Sequence, residues 1–584
     1  MLKKHKYVKL IIFILALGGQ TFLYAQDVEN VAKDLKKIAD AKPVKVSGGF
    51  GATSAFYNMN GMPSRRAPFS WALNGNVNIS IFSKISIPLS INYTDNGTSY
   101  SAKNPLKTIL ADLANKTGMS PKYKWVTLHL GDRSLNFSRY TYAGLRFFGA
   151  GVELAPTKSI VKFSGFYGRF NRRTLLDTIN GIAVVPAYKR VGWGTKLELG
   201  KQKNKVGISI FKAQDDTYSG DELTEKYNLK PMSNLVFGIE TKNQLYKKLD
   251  LDFEYTTSAL TTDLRAPEAL NSGDYTYFNN LGNIFTPNSS TIYNSTYAAG
   301  IQVKQKSTTV GLKYLWVDPT YASLGALAAK NDIEAYTLNS TTSIFKNKVT
   351  LGGSLGTERN NLENNMAQTM RRFIYALNGT WLIIPNLNFT YNYSNFNHST
   401  APTTITKADS VKLVQVSASN VGSLNYTFGK GNAKHTALIS STFQNVKEIR
   451  QLVNMQVSTP NDVTNYLANY SVNFNNIQLT CALSGNYNKV EAPNIFSESI
   501  GPSLSITKKL IQKKLSITYV TSYLNNNDNG AKAATFATKL GGVYKPGKKH
   551  SFKLETALVN KNIKSGQGNS FTETLGKISY DFSF

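Results

Sequence analysis

Side chains able to carry nucleophilic, acid–base or metal chemistry are few and far apart in this sequence. Its single cysteine, Cys481, excludes a disulfide framework and a thiolate metal site. That cysteine sits in Leu479-Thr-Cys-Ala-Leu483 on the apolar face of an alternating run, where a thiol is inert. The four histidines after residue 25 are His129, His398, His435 and His550, and their spacing supports neither a metal cluster nor a Ser/His couple. No cofactor and no metal is therefore expected, and an enzyme is the least supported class. Gly149, Gly151 and Gly165 match no phosphate loop and are read as close-packing positions. One stretch does concentrate polar and aromatic groups: Asp132, Arg133, Asn136, Arg139, Tyr140 and Tyr142. Such a mixture suits a wet constriction better than hydrocarbon, because charges lining a pore set its selectivity.

The elements that must position these residues follow from a period of two that runs from Pro43 to Phe584. Leu249, Leu251, Phe253 and Tyr255 alternate with Asp250, Asp252 and Glu254; Phe552, Leu554, Thr556 and Leu558 alternate with Ser551, Lys553, Glu555 and Ala557. Each strand thus has one apolar and one wet face. Charged residues make up only 18% of the chain, below the roughly 25% of soluble domains, which argues against disorder. A mean hydropathy of −0.26 is too polar for a bundle of membrane helices. In a bilayer the backbone must satisfy its own hydrogen bonds without an open edge, so a long series of amphipathic strands closes into a barrel.

The connections fall into two alternating sets. One is short and rich in lysine, as at Ser83-Lys84, Pro156 to Lys158, 201–205, Lys247-Lys248, 304–306, 346–348, Pro385-Asn386, 429–434, Asn475-Asn476, 508–514 and 545–549. The other is longer and rich in Asn, Asp, Gly and Thr, as at 172–189, 214–234, 259–290, 318–333, 357–370, 395–409, 446–464, 487–498, 524–532 and 562–569. This is the asymmetry of periplasmic turns and extracellular loops. Eleven short turns predict an all-β, transmembrane antiparallel β-barrel of about 24 strands, within a range of 22–26, with both termini on the periplasmic side.

Residues 1–25 read as a secretory signal, with Lys3, Lys4, Lys6 and Lys9 before the apolar run Leu10 to Leu17 and a cut at Ala25. Residues 26–42 carry Val28, Val31, Leu35 and Ile38 at helical spacing, which predicts a short periplasmic amphipathic segment. The barrel then spans 43–584. It is interrupted by an expected insertion at 100–144, within an interval, 85–155, that puts seventy-one residues between two short turns. The insertion is read as a loop folded into the lumen; an outer cap or two further strands are the alternatives. At the other end, Ile578, Tyr580, Phe582 and Phe584 form an alternating apolar set that reads as a C-terminal signal for the barrel assembly machinery.

The Ala25-Gln26 junction, the Tyr/Asn/Lys-rich barrel and the stretch Pro121 to Gly144 followed by Gly149 to Leu154 resemble the large outer-membrane barrels of Bacteroidota. The resemblance implies the fold and the cell outer membrane, and no substrate. Outer-membrane lipids, the assembly machinery and other outer-membrane proteins are the implied partners.

Removal of residues 1–25 lowers the formal charge from +31 to +27. The lysines responsible crowd the short turns, where no nucleic-acid-binding motif exists to use them, so nucleic acid is not an expected partner. Two functions stand ahead of the enzyme: a porin-like channel for diffusion or export of polar solutes, and a non-conducting scaffold subunit of an outer-membrane secretion or biogenesis complex.

Overall fold

The computed structural model describes residues 44–584 other than 82–84, 95–117, 158, 175–176, 180–181, 185, 202, 218–226, 269–280, 282–283, 327–329, 367, 403–411 and 453–454. The expected signal, the segment 26–42 and the first part of the insertion lie outside the described residues. In chain order the strands are Val44–Asn60 (β1), Phe69–Ile81 (β2), Ile85–Thr94 (β3), Gly118–Met119 (β4), Lys122–Tyr123 (β5), Val126–Ser138 (β6), Tyr142–Leu154 (β7) and Val161–Asn171 (β8). Asp177–Ile179 (β9) and Ile182–Val184 (β10) pair only with each other. Then come Arg190–Lys201 (β11), Asn204–Asp215 (β12), Ser233–Leu245 (β13), Leu249–Thr261 (β14), Thr291–Gln305 (β15), Thr308–Val317 (β16), Ile333–Ile344 (β17), Val349–Arg359 (β18) and Gln368–Ile384 (β19). The remainder are Leu387–Pro402 (β20), Lys412–Phe428 (β21), Ala433–Leu452 (β22), Met455–Phe474 (β23), Leu479–Ala492 (β24), Ile495–Leu510 (β25), Leu515–Asp528 (β26), Ala531–Tyr544 (β27), His550–Ser565 (β28) and Phe571–Ser583 (β29).

Every strand pairs antiparallel with its neighbour, and β29 returns to β1 through twelve residue pairs from Gly49↔Ser583 to Asn60↔Thr572. Phe584 and Gly48 exchange two backbone hydrogen bonds at 2.9 and 3.0 Å, so the sheet has no open edge at its seam. Since β4 and β5 lie end to end between β3 and β6, the closed sheet counts 26 antiparallel strands. The two beyond 24 come from one turn too short to be recognised, Lys124-Trp125, which joins β5 to β6. Residues 118–134, expected inside an insertion, therefore run in the wall as β4, β5 and the lower part of β6.

Alternation sorts the two faces as expected. Phe253 on β14 and Phe552, Leu554 and Leu558 on β28 are exposed on the outside. Inside, Lys553 meets Asp581 at 2.7 Å and Lys539 meets Glu555 at 2.9 Å. Near the seam His550, Phe552, Tyr580, Phe582 and Phe584 form a string of ring contacts, with the Tyr580 hydroxyl 2.8 Å from His550 Nδ1. Such aromatic girdles sit where a barrel meets the membrane interface. Cys481 lies opposite Val472 and Ile506, on the apolar row expected for it.

The other rim departs from expectation in one half of the barrel. Residues 446–464, 487–498 and 524–532, read as loops, are the tops of β22 to β27, paired up to Leu452↔Met455, Ala492↔Ile495 and Asp528↔Ala531. Their polar sequences suit a sheet standing in water, where neither face needs to be apolar. From β11 to β18 the strands are 10 to 15 residues long and the long loops are real.

Candidate functional site: a hairpin folded onto the lumenal wall

Beyond Ser134 the β6–β7 ladder slips register twice, at Ser134/Asn136 and Asn136/Ser138. Below the slip the inward row of β6 includes Thr127, His129 and Arg133, while Leu128 and Leu130 are exposed outside. Above it the hairpin leaves the wall and lies across the inner faces of β8 and β11 to β14. Leu135, Phe137, Tyr142 and Phe147 bury there against Phe166, Phe211, Ala213 and Val236 of the wall. Tyr142 is fully buried, its ring 4.6 Å from Phe166, 5.4 Å from Phe211 and 5.6 Å from Phe137. Burying each of these large side chains contributes about 1.5–3 kcal/mol, enough to hold a short hairpin against the wall.

Small residues make the fit possible. A Cβ at Gly194 would stand 2.7 Å from Phe166 and 2.8 Å from Phe137, and one at Gly238 would stand 2.5 Å from Thr141 Oγ1. With those side chains absent, the tip lies directly on the sheet.

Polar bonds fix its register. Lys196 Nζ donates to the Phe137 carbonyl oxygen and to Glu240, both at 2.6 Å. The Ser209 hydroxyl donates to Thr141 Oγ1 at 3.2 Å. From above, residues 318–326 fold down over the tip: Tyr321 Oη donates to the Tyr140 carbonyl at 2.8 Å, Ser323 Oγ to the Thr141 carbonyl at 2.8 Å, and Ala143 N to the Gly325 carbonyl at 3.0 Å. The loop is itself anchored to the wall, since Leu324 N donates to Asn234 Oδ1 at 3.0 Å and Ser258 Oγ to the Ala322 carbonyl at 2.7 Å. Tyr140 and Tyr321 meet edge to face at 6.0 Å, and burial raises both phenols above the ordinary value of 10.0.

Of the residues singled out in the sequence, three reach the lumenal side. Arg133 lies over Gly118, and Asn136 and Arg139 line a cavity of about 370 Å³ with Lys196, Glu240, Asp252 and Glu254. Tyr140 and Tyr142 are buried anchors and do not line a passage. Asp132 falls on the outward row with Leu128 and Leu130, where Arg146 binds it at 2.7 to 3.2 Å, because a residue one step from Arg133 must point through the other face.

The structure also assembles a group that spacing did not reveal. Ser120 Oγ lies 2.9 Å from His129 Nδ1, and His129 Nε2 lies 3.0 Å from Glu153 Oε2. Ser120 occupies the break between β4 and β5, and the imidazole ties that break to β7. Only the antiparallel register brings His129 opposite Gly151 and beside Glu153, so no linear motif could have signalled it. Among the described residues, no group of three or more His, Cys, Asp or Glu side chains could hold a metal ion.

The opposite wall is different in kind. The inward rows of β24 to β26 read Thr480, Ser484 and Asn488, then Ser499, Ser503 and Thr507, then Thr518 and Ser522, a hydroxyl- and amide-rich surface with few charges. The lumen thus has one charged, partly covered wall and one neutral polar wall.

No family model and no curated sequence matches the chain. Among solved structures it is similar to the FrpB iron transporter from Neisseria meningitidis (F3-3 variant), at 10% identity and a TM-score of 0.38, over 92% of this chain and 81% of that one. It is similar also to the translocation pore of the P pilus usher PapC, at 10% identity and a TM-score of 0.37, over 92% of this chain and 99% of that one. A third similar structure is OccAB4 of Acinetobacter baumannii, at 11% identity and a TM-score of 0.28, over 65% of this chain and 97% of that one. Closure, an even strand count, an apolar outer face and a polar lumen make this chain an outer-membrane β-barrel.

Proposed function

We propose that this barrel is a porin-like channel for polar solutes whose bore is narrowed from one side by the β6–β7 tip and the loop above it. The observation that supports this reading is the docking of the tip on the inner wall, fixed by Tyr321, Ser323 and Lys196. A circular barrel of this strand number would be about 50 Å across its backbone, from strand spacing and tilt. One hairpin cannot plug such a bore. It can line it, presenting Arg139 and Asn136 to the passage opposite the Ser/Thr/Asn wall.

Single-channel recording of the purified barrel in planar bilayers tests the proposal. Stable, large unitary conductance is expected. A correctly assembled barrel that conducts no ions would overturn the channel and leave the scaffold subunit as the better reading.

A further inference from the structure

On the outer face, at β18 to β20, the apolar belt has a notch. Gly379 of β19 stands between Leu351 of β18 and Tyr391 of β20 in the ladder, and a Cβ there would meet Leu351 Cδ2 only at 3.4 Å. Leu377, Trp381, Phe389 and Phe345 wall the recess, all exposed, and its volume is about 910 Å³. The recess opens toward the rim of short turns that carries both barrel termini, at the turn Phe345-Lys346-Asn347-Lys348. There the β19–β20 pairing shifts register between Leu382 and Ile384, and Ile383 joins the lining.

The two lysines at this mouth are exposed, and no ion pair ties either to a carboxylate among the described residues. Six lysines of the lumenal side, Lys162, Lys196, Lys205, Lys304, Lys539 and Lys553, by contrast sit on carboxylates. A cation held just outside an apolar recess, with an indole at the same depth, matches a lipid whose chain lies in hydrocarbon and whose phosphate sits at the interface.

We propose that the Gly379 notch is a binding site for an anionic glycerophospholipid of the leaflet on the termini side. One acyl chain packs across Gly379 between Leu351, Leu377 and Tyr391. The phosphate is held by Lys348 and Lys346, with Trp381 at the ester level. Charge complementarity selects this occupant over a second copy of the barrel, which would bring the same two lysines against its own.

Quenching of Trp381 by brominated lipids tests the site. A barrel carrying Trp71→Phe, Trp125→Phe, Trp193→Phe and Trp316→Phe keeps Trp381 as its only indole. It is placed in phosphatidylcholine bilayers with a minority of brominated phosphatidylglycerol or, in parallel, brominated phosphatidylcholine. Phosphatidylglycerol is expected to associate about fivefold or more strongly, since each lysine near the surface favours an anionic lipid. Lys346→Gln with Lys348→Gln should bring the two lipids to parity. Gly379→Leu should weaken quenching by both, because it fills the place of the chain. Parity in the parent, preference surviving loss of both lysines, or no quenching by either lipid, as a second copy covering this face would give, each overturns the proposal. Should the single-indole barrel fail to assemble, native mass spectrometry of the unmodified barrel and its double-lysine variant with added phosphatidylglycerol reads the same preference as retained lipid.

Discussion

The hydroxyl of Tyr321 donates to the carbonyl oxygen of Tyr140 at 2.8 Å, across 181 residues of sequence. Tyr140 is the turn of a hairpin that has left the barrel wall, and Tyr321 belongs to a loop that enters from the outer rim. Neither element is held by strand pairing at that point. Each stays inside because it is bonded to the other and to the inner faces of β12 to β14, so the docking against the wall is a property of the pair.

That dependence is open to a conservative test. Tyr321→Phe keeps the ring contact and loses the hydrogen bond, and should loosen the tip by about 1 kcal/mol. Tyr142→Ala empties the aromatic cluster and should cost about 3–5 kcal/mol, in line with large-to-small changes at buried rings. Hydrogen exchange of residues 135–145 should rise slightly in the first variant and strongly in the second, with the β24–β26 amides unchanged in both.

Legibility in the sequence followed physical causes. The barrel was readable because hydrocarbon outside and water inside impose a two-residue period. The turn Lys124-Trp125 is not, since two residues with one lysine resemble any polar interruption; the strands on either side of it bring the count from about 24 to 26 and account for much of the length that reads as an insertion. The sequences of 446–464 and 524–532 resemble loops because Asn and Asp serve sheets as well as turns: the Asn445 amide donates to Asp462, and the Ser497 hydroxyl to Asp528 at 2.6 Å, between strands. Tyr140 and Tyr142 look like pore-lining residues in sequence. They are anchors because Gly194 and Gly238, far along the chain, leave room for the tip.

Orientation can be checked by labelling. In a Cys481→Ser background, cysteines at Lys248, Lys348 and Lys548 should resist a membrane-impermeant maleimide in intact cells, while a cysteine at Glu363 or Asn365 should react. Labelling at the lysine turns with silence at 363 and 365 would invert the barrel.

Removal of Tyr580–Phe584 should prevent assembly. These residues supply the β29 partners of Phe50, Gly51 and Ala52 and the rim contacts with His550, so their loss opens an edge in lipid. A heat-modifiable barrel of normal abundance in the outer membrane after the truncation would contradict this.

Alkaline pH should release the tip. Burial raises the Tyr321 and Tyr140 phenols above 10.0, so the folded loop prefers them neutral. The docking they support is then fully present below pH 10.0 and is lost as pH rises through the raised values. Phenolate absorbance should show late-titrating tyrosines, two fewer in Tyr321→Phe with Tyr140→Phe because burial raises Tyr142 as well, and the protection factors at 135–145 should be flat from neutral pH up to about pH 9.

Charge at the tip should tune selectivity in a fixed direction. Arg139 is exposed in a cavity it shares with Glu240, Asp252 and Glu254, and Lys196 there is already committed to Glu240 and the Phe137 carbonyl. Removing Arg139 leaves Asp252 and Glu254 less balanced, and removing Arg133 takes a second cation from the inward row of β6. Arg133→Ala with Arg139→Ala should therefore lower the chloride-to-potassium permeability ratio. The change should stay below about twofold, because two unit charges are screened beyond a Debye length of about 10 Å at 0.1 M salt, a fraction of so wide a bore. Arg146→Ala, which removes an arginine of the same hairpin from the outward face, should leave the ratio unchanged. Equal shifts in both variants would mean that ions do not pass beside the tip. A shift confined to the Arg133/Arg139 variant would place the tip in the conducting path.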